Sequence, residues 1–249
     1  MNHPLLQSIA AASIAHISTF GVQNLSNTAW AYARLRVDKS EPLMAAISSS
    51  SLSRISAFDP QSLANTSWSC ARFCFGDQTL LNAIAAESIR TLRQFAVQNL
   101  TNTAWAFAPL SVCNVTPLMD AISAESLSRM CEFDSQHLGN TAWAVATLQL
   151  HNSEPLMHAI AAAALQKLSD FNMQELANTA WAVATLELHS EEPLMHAIAA
   201  PALRRREGGL WQPFFDCVDV FSLRGPMKST ANCLVAEFVG EGLAGVQAQ

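Results

Sequence analysis

The strongest constraint on this chain of 249 residues is a tandem repeat with a period of about 38 residues. The pentapeptide NTAWA, or NTSWS in one copy, begins at Asn27, Asn65, Asn102, Asn140 and Asn178, so successive copies are 38, 37, 38 and 38 residues apart. A second motif, P-L-M-x-A-I, keeps the same phase and begins at Pro42, Pro117, Pro155 and Pro193. A chain with such a period stacks similar small units, each of which buries one face against its neighbours.

Each repeat is predicted to form two helices. In the fifth repeat, the first helix runs from Pro155 to Phe171, and its apolar residues recur three and four positions apart. Proline suits the first turn of a helix, and Ser153 or Glu154 can cap it. The second helix runs from about Asn172 to Leu188, and Asn172 stands at the N-cap position. In other copies Asp59 and Asp134 stand there.

We therefore predict an all-α fold, an α-solenoid of about five and a half helical hairpins over residues 1–206. Pro109 falls in the last turns of a second helix and should shorten or kink it. The pattern stops after Arg206. Residues 207–249 hold six of the nine glycines and match neither helix, so they are either a capping segment or an artefact of gene prediction.

Composition and charge exclude several classes of protein. Half of the residues are hydrophobic, which excludes wholesale disorder, and polar residues interrupt every apolar run before it reaches the length of a membrane span. The formal net charge of −6 argues against binding nucleic acid by bulk charge, so any such binding must be local. Six irregularly spaced cysteines do not form a disulfide framework and favour a reducing compartment.

Neither a metal nor another cofactor is expected. The histidines that suggest a metal site, His151, His158, His189 and His196, are pairs of repeat-equivalent residues. Equivalent residues of adjacent hairpins lie roughly 8–10 Å apart, which is too far for a shared zinc ion. Cys70 and Cys74 lack two further ligands in phase. Because no nucleotide-binding, hydrolase or zinc-protease motif is present, we expect a protein that is not an enzyme.

The second-helix motif Q-x-L-x-N-T-x-W-x-x-A in a 38-residue hairpin resembles the octotricopeptide repeats of algal and protist organelle proteins. It is similar also to the helical repeats of FAST kinase-like and RAP-domain proteins. This resemblance covers residues 4–206 and implies an RNA-binding factor that acts on transcript stability, processing or translation in a chloroplast or mitochondrion. No RAP domain or transit peptide is recognisable, and the first residues already lie inside a repeat, so we expect a fragment or an incomplete gene product.

The residues that stay constant between repeats are interpreted as scaffold. Tryptophans are expected to pack between neighbouring hairpins, and asparagines to satisfy buried polar partners. The alternative is a stacking platform for bases, with tryptophan as the aromatic face and asparagine as an edge reader. The predicted structural core comprises Asn27, Trp30, Asn65, Trp68, Asn102, Trp105, Asn140, Trp143, Asn178 and Trp181.

The residues that vary between repeats are candidates for ligand contact, because a reader of a polymer must differ from unit to unit. They lie at the fourth and twelfth positions of the first helix, on one stripe with a small residue between them. The base-reading candidates are Gln7, Asn82, Asp120, His158, His196, Arg90, Gln166 and Arg204. The thirteenth position supplies the phosphate candidates His16, Arg54, Arg129, Lys167 and Arg205. The alternative is an ordinary solvated face.

Together these observations favour a non-enzymatic solenoid that binds single-stranded RNA in an organelle. The competing hypothesis is a protein–protein interaction scaffold without nucleic-acid binding, which the low basicity of the chain favours. The two hypotheses differ in the surface that they require. RNA binding needs a positive strip, whereas a scaffold needs an apolar or mixed-charge groove.

Overall fold

The computed structural model describes residues 3–110, 112, 114–150, 153–188 and 193–198. Every regular element in these ranges is helical, which confirms the predicted all-α class. The α-helices are α1 (His3–Ala15), α2 (Val22–Arg34), α3 (Glu41–Leu52), α4 (Pro60–Arg72), α5 (Gln78–Thr91), α6 (Val97–Phe107), α7 (Thr116–Ser128), α8 (Ser135–Leu148), α9 (Glu154–Gln166) and α10 (Met173–Thr185). Residues 193–198 begin one more helix. The predicted tail, 207–249, and the end of the repeat array at residue 206 lie outside the described residues.

Each first helix ends earlier than the sequence pattern predicts. The helix expected to reach Phe171 ends at Gln166, and a single 3-10 turn, Leu168–Asp170, follows it. The same turn follows α1, α3, α5 and α7. Phe171 itself adopts an extended backbone, with φ −72° and ψ 128°, and its ring is buried. The extended residue reverses the chain, so periodicity of apolar residues alone overestimated the helix length.

The predicted N-caps of the second helices are confirmed. The carboxylate of Asp59 accepts a hydrogen bond from the Ser62 amide at 2.7 Å, and that of Asp134 accepts one from the His137 amide at 2.8 Å. The Asn172 side chain accepts from two amides of α10. These bonds satisfy amides that lack partners within the helix. Ser153 stands at the N-cap position of α9, but its hydroxyl donates to the Leu150 carbonyl instead.

The second helices end in a turn that the sequence did not reveal. Arg36, Cys74, Gln149 and Glu187 occupy equivalent repeat positions and have φ between 48° and 54°, the left-handed region that favours glycine. After α2, the Val37 amide donates to the Tyr32 carbonyl and the Arg36 amide to the Ala33 carbonyl, which is a Schellman motif. The predicted effect of Pro109 is confirmed, because α6 ends at Phe107 whereas α4 extends to Arg72, the residue equivalent to Pro109.

The chain divides into two compact units, unit 1 (Met1–Ile122) and unit 2 (Ser123–Gln249). In unit 1, α2 packs against α4 and α4 against α6; in unit 2, α8 packs against α10. The repeated leucine of the second-helix motif is fully or almost fully buried at Leu25, Leu63, Leu100, Leu138 and Leu176.

Helix α8 approaches α10 closely at Gly139. A Cβ atom at that position would lie 3.1 Å from the Cα of Glu175, which is tighter than normal packing allows. The second helices therefore form the packed part of each unit.

Candidate nucleic-acid interface

The base-reading candidates within the described residues all lie on exposed helix surface. Those at the fourth position are Gln7, Asn82, Asp120, His158 and His196. At the twelfth position, Gln166 and Arg90 are exposed as well, whereas Arg204 lies outside the described residues. Their exposure leaves their side chains within reach of a ligand and agrees equally with a solvated face. Their role in reading bases stays a prediction.

Arg90 already holds a strong partner. Its guanidinium donates two hydrogen bonds to the carboxylate of Glu87, one turn earlier in α5, at 3.0 and 2.5 Å. Glu87 is 7% exposed, so this ion pair also neutralises a nearly buried carboxylate. A base edge that bound Arg90 would have to share or displace Glu87, because both compete for the same donors.

Two of the phosphate candidates at the thirteenth position, Arg54 and Lys167, link neighbouring hairpins. In unit 1, Arg54 donates to the backbone carbonyl of Phe20 and, at 3.3 Å, to that of Ser18. It also donates to the Ser50 hydroxyl at 2.9 Å. In unit 2, the Lys167 ammonium donates to the backbone carbonyl of Phe133.

The reason for these bonds lies in the turn described above. Phe20 and Phe133, which follow 3-10 turns, have an extended backbone, and the basic side chain of the next hairpin satisfies the carbonyl of each. We call Arg54 and Lys167 the carbonyl staples. Among the remaining candidates, Arg129 pairs with Glu132 at 2.6 Å and with Glu125 at 3.8 Å, His16 is exposed, and Arg205 lies outside the described residues.

The repeat tryptophans form tilted pairs between packed second helices. The ring centroids of Trp30 and Trp68 are 6.4 Å apart, with 35° between the ring planes, and those of Trp143 and Trp181 are 6.5 Å apart, with 33°. Trp68, Trp105 and Trp143 are buried, whereas Trp30 and Trp181 are partly exposed. Such offset pairs add to the stability gained from burying the rings. The tryptophans therefore occupy positions that a structural core requires.

The repeat asparagines range from exposed to buried along the chain. Asn27 is exposed, Asn65 and Asn102 are partly exposed, and Asn140 and Asn178 are 6% and 5% exposed. The Nδ2 atom of Asn178 has no hydrogen-bond partner among the described residues. A uniform buried asparagine ladder is therefore present at most in unit 2.

Sequence reasoning missed an arginine cluster at the C-terminal ends of α2 and α4. The guanidinium carbon of Arg72 lies 5.9 Å from the centroid of the Trp68 ring, within the range of a cation–π contact. Burial lowers the pKa of the Arg72 guanidinium, and the nearby positive charges of Arg36 and Arg34 lower it further. The signal was available, because Arg34 and Arg72 occupy the same position of neighbouring repeats.

The described residues contain no group of three or more histidine, cysteine or acidic residues arranged to hold a metal ion. Cys70 is buried, and burial together with the charge of Asp77 raises the pKa of its thiol to about 12, which makes it unreactive. Within the same ranges, no helix is both long and apolar enough to cross a membrane.

Residues 2–152 match the family described as the RNA-editing substrate-binding complex 6 protein, RESC6. The chain belongs to the RESC6 family. No curated protein sequence matches it. The match places the chain in an RNA-associated family of helical proteins, in agreement with the coarser part of the prediction. The finer resemblance to octotricopeptide and FAST kinase-like proteins stays a prediction.

The region that matches the RESC6 family covers α1 to α8. It therefore includes all of unit 1, with the arginine cluster and the staple of Arg54. In unit 2 it includes α8 and the Phe133 carbonyl but not Lys167. The fourth repeat tryptophan, Trp143, lies within the matched region, and the fifth, Trp181, lies beyond it.

Proposed function

We propose that this chain is a non-enzymatic RNA-binding subunit of an assembly that holds RNA substrates for editing. The match of residues 2–152 to the RESC6 family carries the proposal, because that family is described by an RNA-editing substrate-binding complex. The helical repeats support it, since stacked hairpins present polar side chains at regular intervals along a strand. A chain of this kind contributes recognition and leaves the chemistry of editing to other proteins.

We propose the mitochondrion as the site of action. The resemblance of the repeats to organellar RNA-binding proteins implies a chloroplast or a mitochondrion, and the RESC6 family favours the mitochondrion. The chloroplast has no support from the family. A fluorescent fusion of the full-length gene product, viewed against a mitochondrial dye, tests this location.

Titration of the intact chain with a random pool of single-stranded RNA tests RNA binding. We expect binding that weakens as salt rises, because neutralised phosphates release counterions. Selection from the pool should enrich particular sequences if the exposed first-helix residues read bases. A folded chain, verified by circular dichroism, that ignores RNA at low salt overturns the proposal.

The first-helix prediction has its own matched test. Replacing Asn82 and His158 by alanine should change which sequences are enriched and leave overall affinity within about threefold, since base contacts specify and phosphate contacts dominate affinity. Ser56→Ala with Ser169→Ala, at exposed positions in the 3-10 turns that follow the first helices, is the control. An unchanged selection profile would remove the base-reading role from these positions.

Contacts with other proteins of the same assembly are a second candidate function. One position of the first helix holds a large apolar residue that stays exposed, at Ile14, Ile89, Leu127 and Leu165, with exposed fractions of 37–41%. Exposed apolar side chains that recur at one repeat position favour a protein surface as partner.

Replacing Leu127 and Leu165 by glutamine should reduce recovery of partner proteins with the tagged chain after ribonuclease treatment, without changing RNA affinity. Unchanged recovery would reject this surface.

A further inference from the structure

The C-terminal ends of α2 and α4 bring three arginines together. Arg34 and Arg72 stand in the last turns of two helices that pack side by side, and Arg36 follows α2 by two residues. Cations near a helix C-terminus are favoured by the helix dipole, which accounts for Arg34 and Arg72 individually. The dipole does not require Arg36, which lies beyond the helix in the left-handed region with φ 48°. The positive charge of Arg36 still acts on Arg72, since it lowers the pKa of the Arg72 guanidinium.

An aromatic pair adjoins these charges. Arg72 lies over the ring of Trp68, and Trp68 stacks at a tilt on Trp30. Trp68 is 8% exposed, whereas Trp30 is partly exposed. Aromatic rings that border a basic patch are the combination on which single-stranded nucleic acids bind, because every base has a face that can stack.

Amide side chains precede the aromatic pair on the same helix stripe. Residues four and seven positions apart share one face of a helix, so Gln23, Asn27 and Trp30 lie in one row on α2. Gln23 and Asn27 are both exposed, and on α4 the equivalent Gln61 is exposed as well. The α2 stripe therefore offers two amides, then a partly exposed aromatic ring and then the Arg34 guanidinium, and these groups match base edges, a base face and a phosphate.

The cluster is confined to unit 1 among the described residues. The positions of Arg34 and Arg72 are held in unit 2 by Thr147 and Thr185, and the position of Arg36 by Gln149 and Glu187. After α6 the corresponding residue is Pro109. Since the scaffold forms equally in repeats that lack the arginines, packing of the hairpins does not explain their presence.

We propose that Arg34, Arg36 and Arg72 bind a phosphate of single-stranded RNA on the second-helix face of unit 1, with the adjoining base against Trp30. This inference rests on the proposed RNA-binding function and assigns it to a surface other than the first-helix stripe. Arginine suits the role because its planar guanidinium donates two parallel hydrogen bonds to a phosphate. RNA fits this surface better than an acidic protein segment, because carboxylates would leave the adjoining amides and ring unused.

A charge-matched pair of double variants of the intact chain tests the proposal. In the first, Arg36→Gln and Arg72→Gln remove two cluster charges; in the second, Lys39→Gln and Arg93→Gln remove two exposed charges outside the cluster. The probe is a labelled single-stranded RNA pool, titrated at several salt concentrations after circular dichroism has shown that both variants are folded. We expect the cluster variant to bind roughly tenfold more weakly at low salt, with a salt slope smaller by about 0.7, because it loses the contact with one phosphate. The control should stay within about twofold of the unchanged chain.

A second measurement separates stacking from charge. Trp30→Leu keeps an apolar residue but removes the aromatic face, and we expect RNA affinity to fall about fivefold or more while the salt slope stays unchanged. Polyphosphate, which has the charge without the bases, should displace RNA poorly from the unchanged chain. Poly-glutamate that displaced RNA as well as unlabelled RNA does would overturn the choice of RNA and identify an acidic protein as the partner.

The outcomes distinguish this inference from the function on which it rests. If the unchanged chain and the cluster variant bind RNA alike, the cluster is not the phosphate site, and RNA binding itself stands. If both double variants weaken binding equally, the effect is one of general charge and the cluster is again rejected. If the unchanged chain binds no RNA at low salt, both proposals are wrong.

Discussion

Units 1 and 2 form the same hairpins from chemically different helices. Helix α4 of unit 1 buries four hydroxyl groups, at Ser62, Thr66, Ser67 and Ser69, whereas α8 of unit 2 buries one, at Thr141, and has alanine where Ser67 and Ser69 stand. The hydroxyl groups are compatible with burial because they are satisfied locally. Ser67 donates to the Ala64 carbonyl at 2.9 Å and Ser69 to the Asn65 carbonyl at 2.6 Å, both within α4.

This difference indicates that the fold depends mainly on the size of the buried residues and on a few residues that both units share. The polarity of the buried residues matters less. Both units retain the leucine, the tryptophan and the phenylalanine of the repeat. Each unit also contains a carbonyl staple, through Arg54 in unit 1 and Lys167 in unit 2. What separates the units lies at the ends of the second helices, where unit 1 carries arginines and unit 2 carries threonines. A shared scaffold thus leaves those ends available for binding.

The largest loss of stability is expected at the buried phenylalanine that the two units share. Phe58 of unit 1 and Phe133 of unit 2 are 3% and 0% exposed, so replacing either by alanine leaves a cavity and should lower the free energy of unfolding by about 3–5 kcal/mol. Urea unfolding of the intact chain measures this loss. Phe20→Ala, at the equivalent but partly exposed position, is the control and should cost less. A large loss from only one of the two buried sites would contradict the view of a common anchor.

Loss of the carbonyl staple should destabilise unit 1 more than unit 2. Arg54→Met removes three hydrogen bonds and should cost about 2 kcal/mol, whereas Lys167→Met removes the bond to Phe133 and should cost about 1 kcal/mol. Unfolding is again measured in urea without RNA, with the exposed Arg93→Met as control. Two variants that unfold like the unchanged chain would show that these side chains are not structural and would strengthen their predicted role on phosphates.

As pH falls, unit 2 should begin to lose stability at a higher pH than unit 1. Burial lowers the pKa of the His137 imidazole below 6.5, with a smaller opposing effect of the Asp134 carboxylate, whose Oδ1 lies 2.9 Å from the imidazole Nδ1. Because the His137 imidazole binds a proton more readily in the unfolded chain, the neutral ring contributes fully to stability above pH 6.5. This contribution declines as pH falls below 6.5. In unit 1 the hydrogen bond from Ser48 lowers the pKa of Asp77, whose contribution declines only below pH 3.8.

His137→Gln tests this assignment. Between pH 7.5 and 5.5 the unchanged chain should lose more stability than the variant, as judged from urea midpoints. Burial raises the pKa of Glu175, so this group gains stability as pH falls, but it does so in both proteins and cancels in the comparison. Parallel pH profiles of the two proteins would remove His137 as the cause.

The smallest effect should come from making α4 resemble α8. Ser67→Ala with Ser69→Ala removes hydroxyls that bond only to their own helix and introduces better helix formers, so the free energy of unfolding should rise or fall by less than about 1 kcal/mol. Thermal unfolding followed by circular dichroism measures the change. A loss of more than that would mean that the hydroxyls hold the hairpins together, and polarity would then matter to the fold after all.

The sequence predicted those features that repeat and those that obey local rules. The 38-residue period placed the hairpins, and side-chain chemistry placed the caps at Asp59, Asp134 and Asn172. The left-handed turns at Arg36 and Gln149 were missed, because their glycine signal is absent and the neighbouring amides hold the turn instead.

The site was harder to predict because it depends on contacts between repeats. The phosphate candidates rest on charge and spacing alone. Spacing cannot show that the carbonyl of an extended phenylalanine, one hairpin earlier, competes with phosphate for Arg54 and Lys167. The convergence of Arg34, Arg36 and Arg72 likewise requires two helices to lie side by side.

The staples also bear on how the chain acquires its structure during synthesis. Hydrogen bonds between separate helices or turns join residues only 26 to 36 positions apart, as from Tyr32 to Leu6, from Arg54 to Phe20 and from Ser26 to Ser62. Chains dominated by such short separations fold rapidly, because little loop entropy is lost before a contact forms. Each hairpin of a unit can therefore complete its bonds as soon as the next one leaves the ribosome, without waiting for the end of the chain.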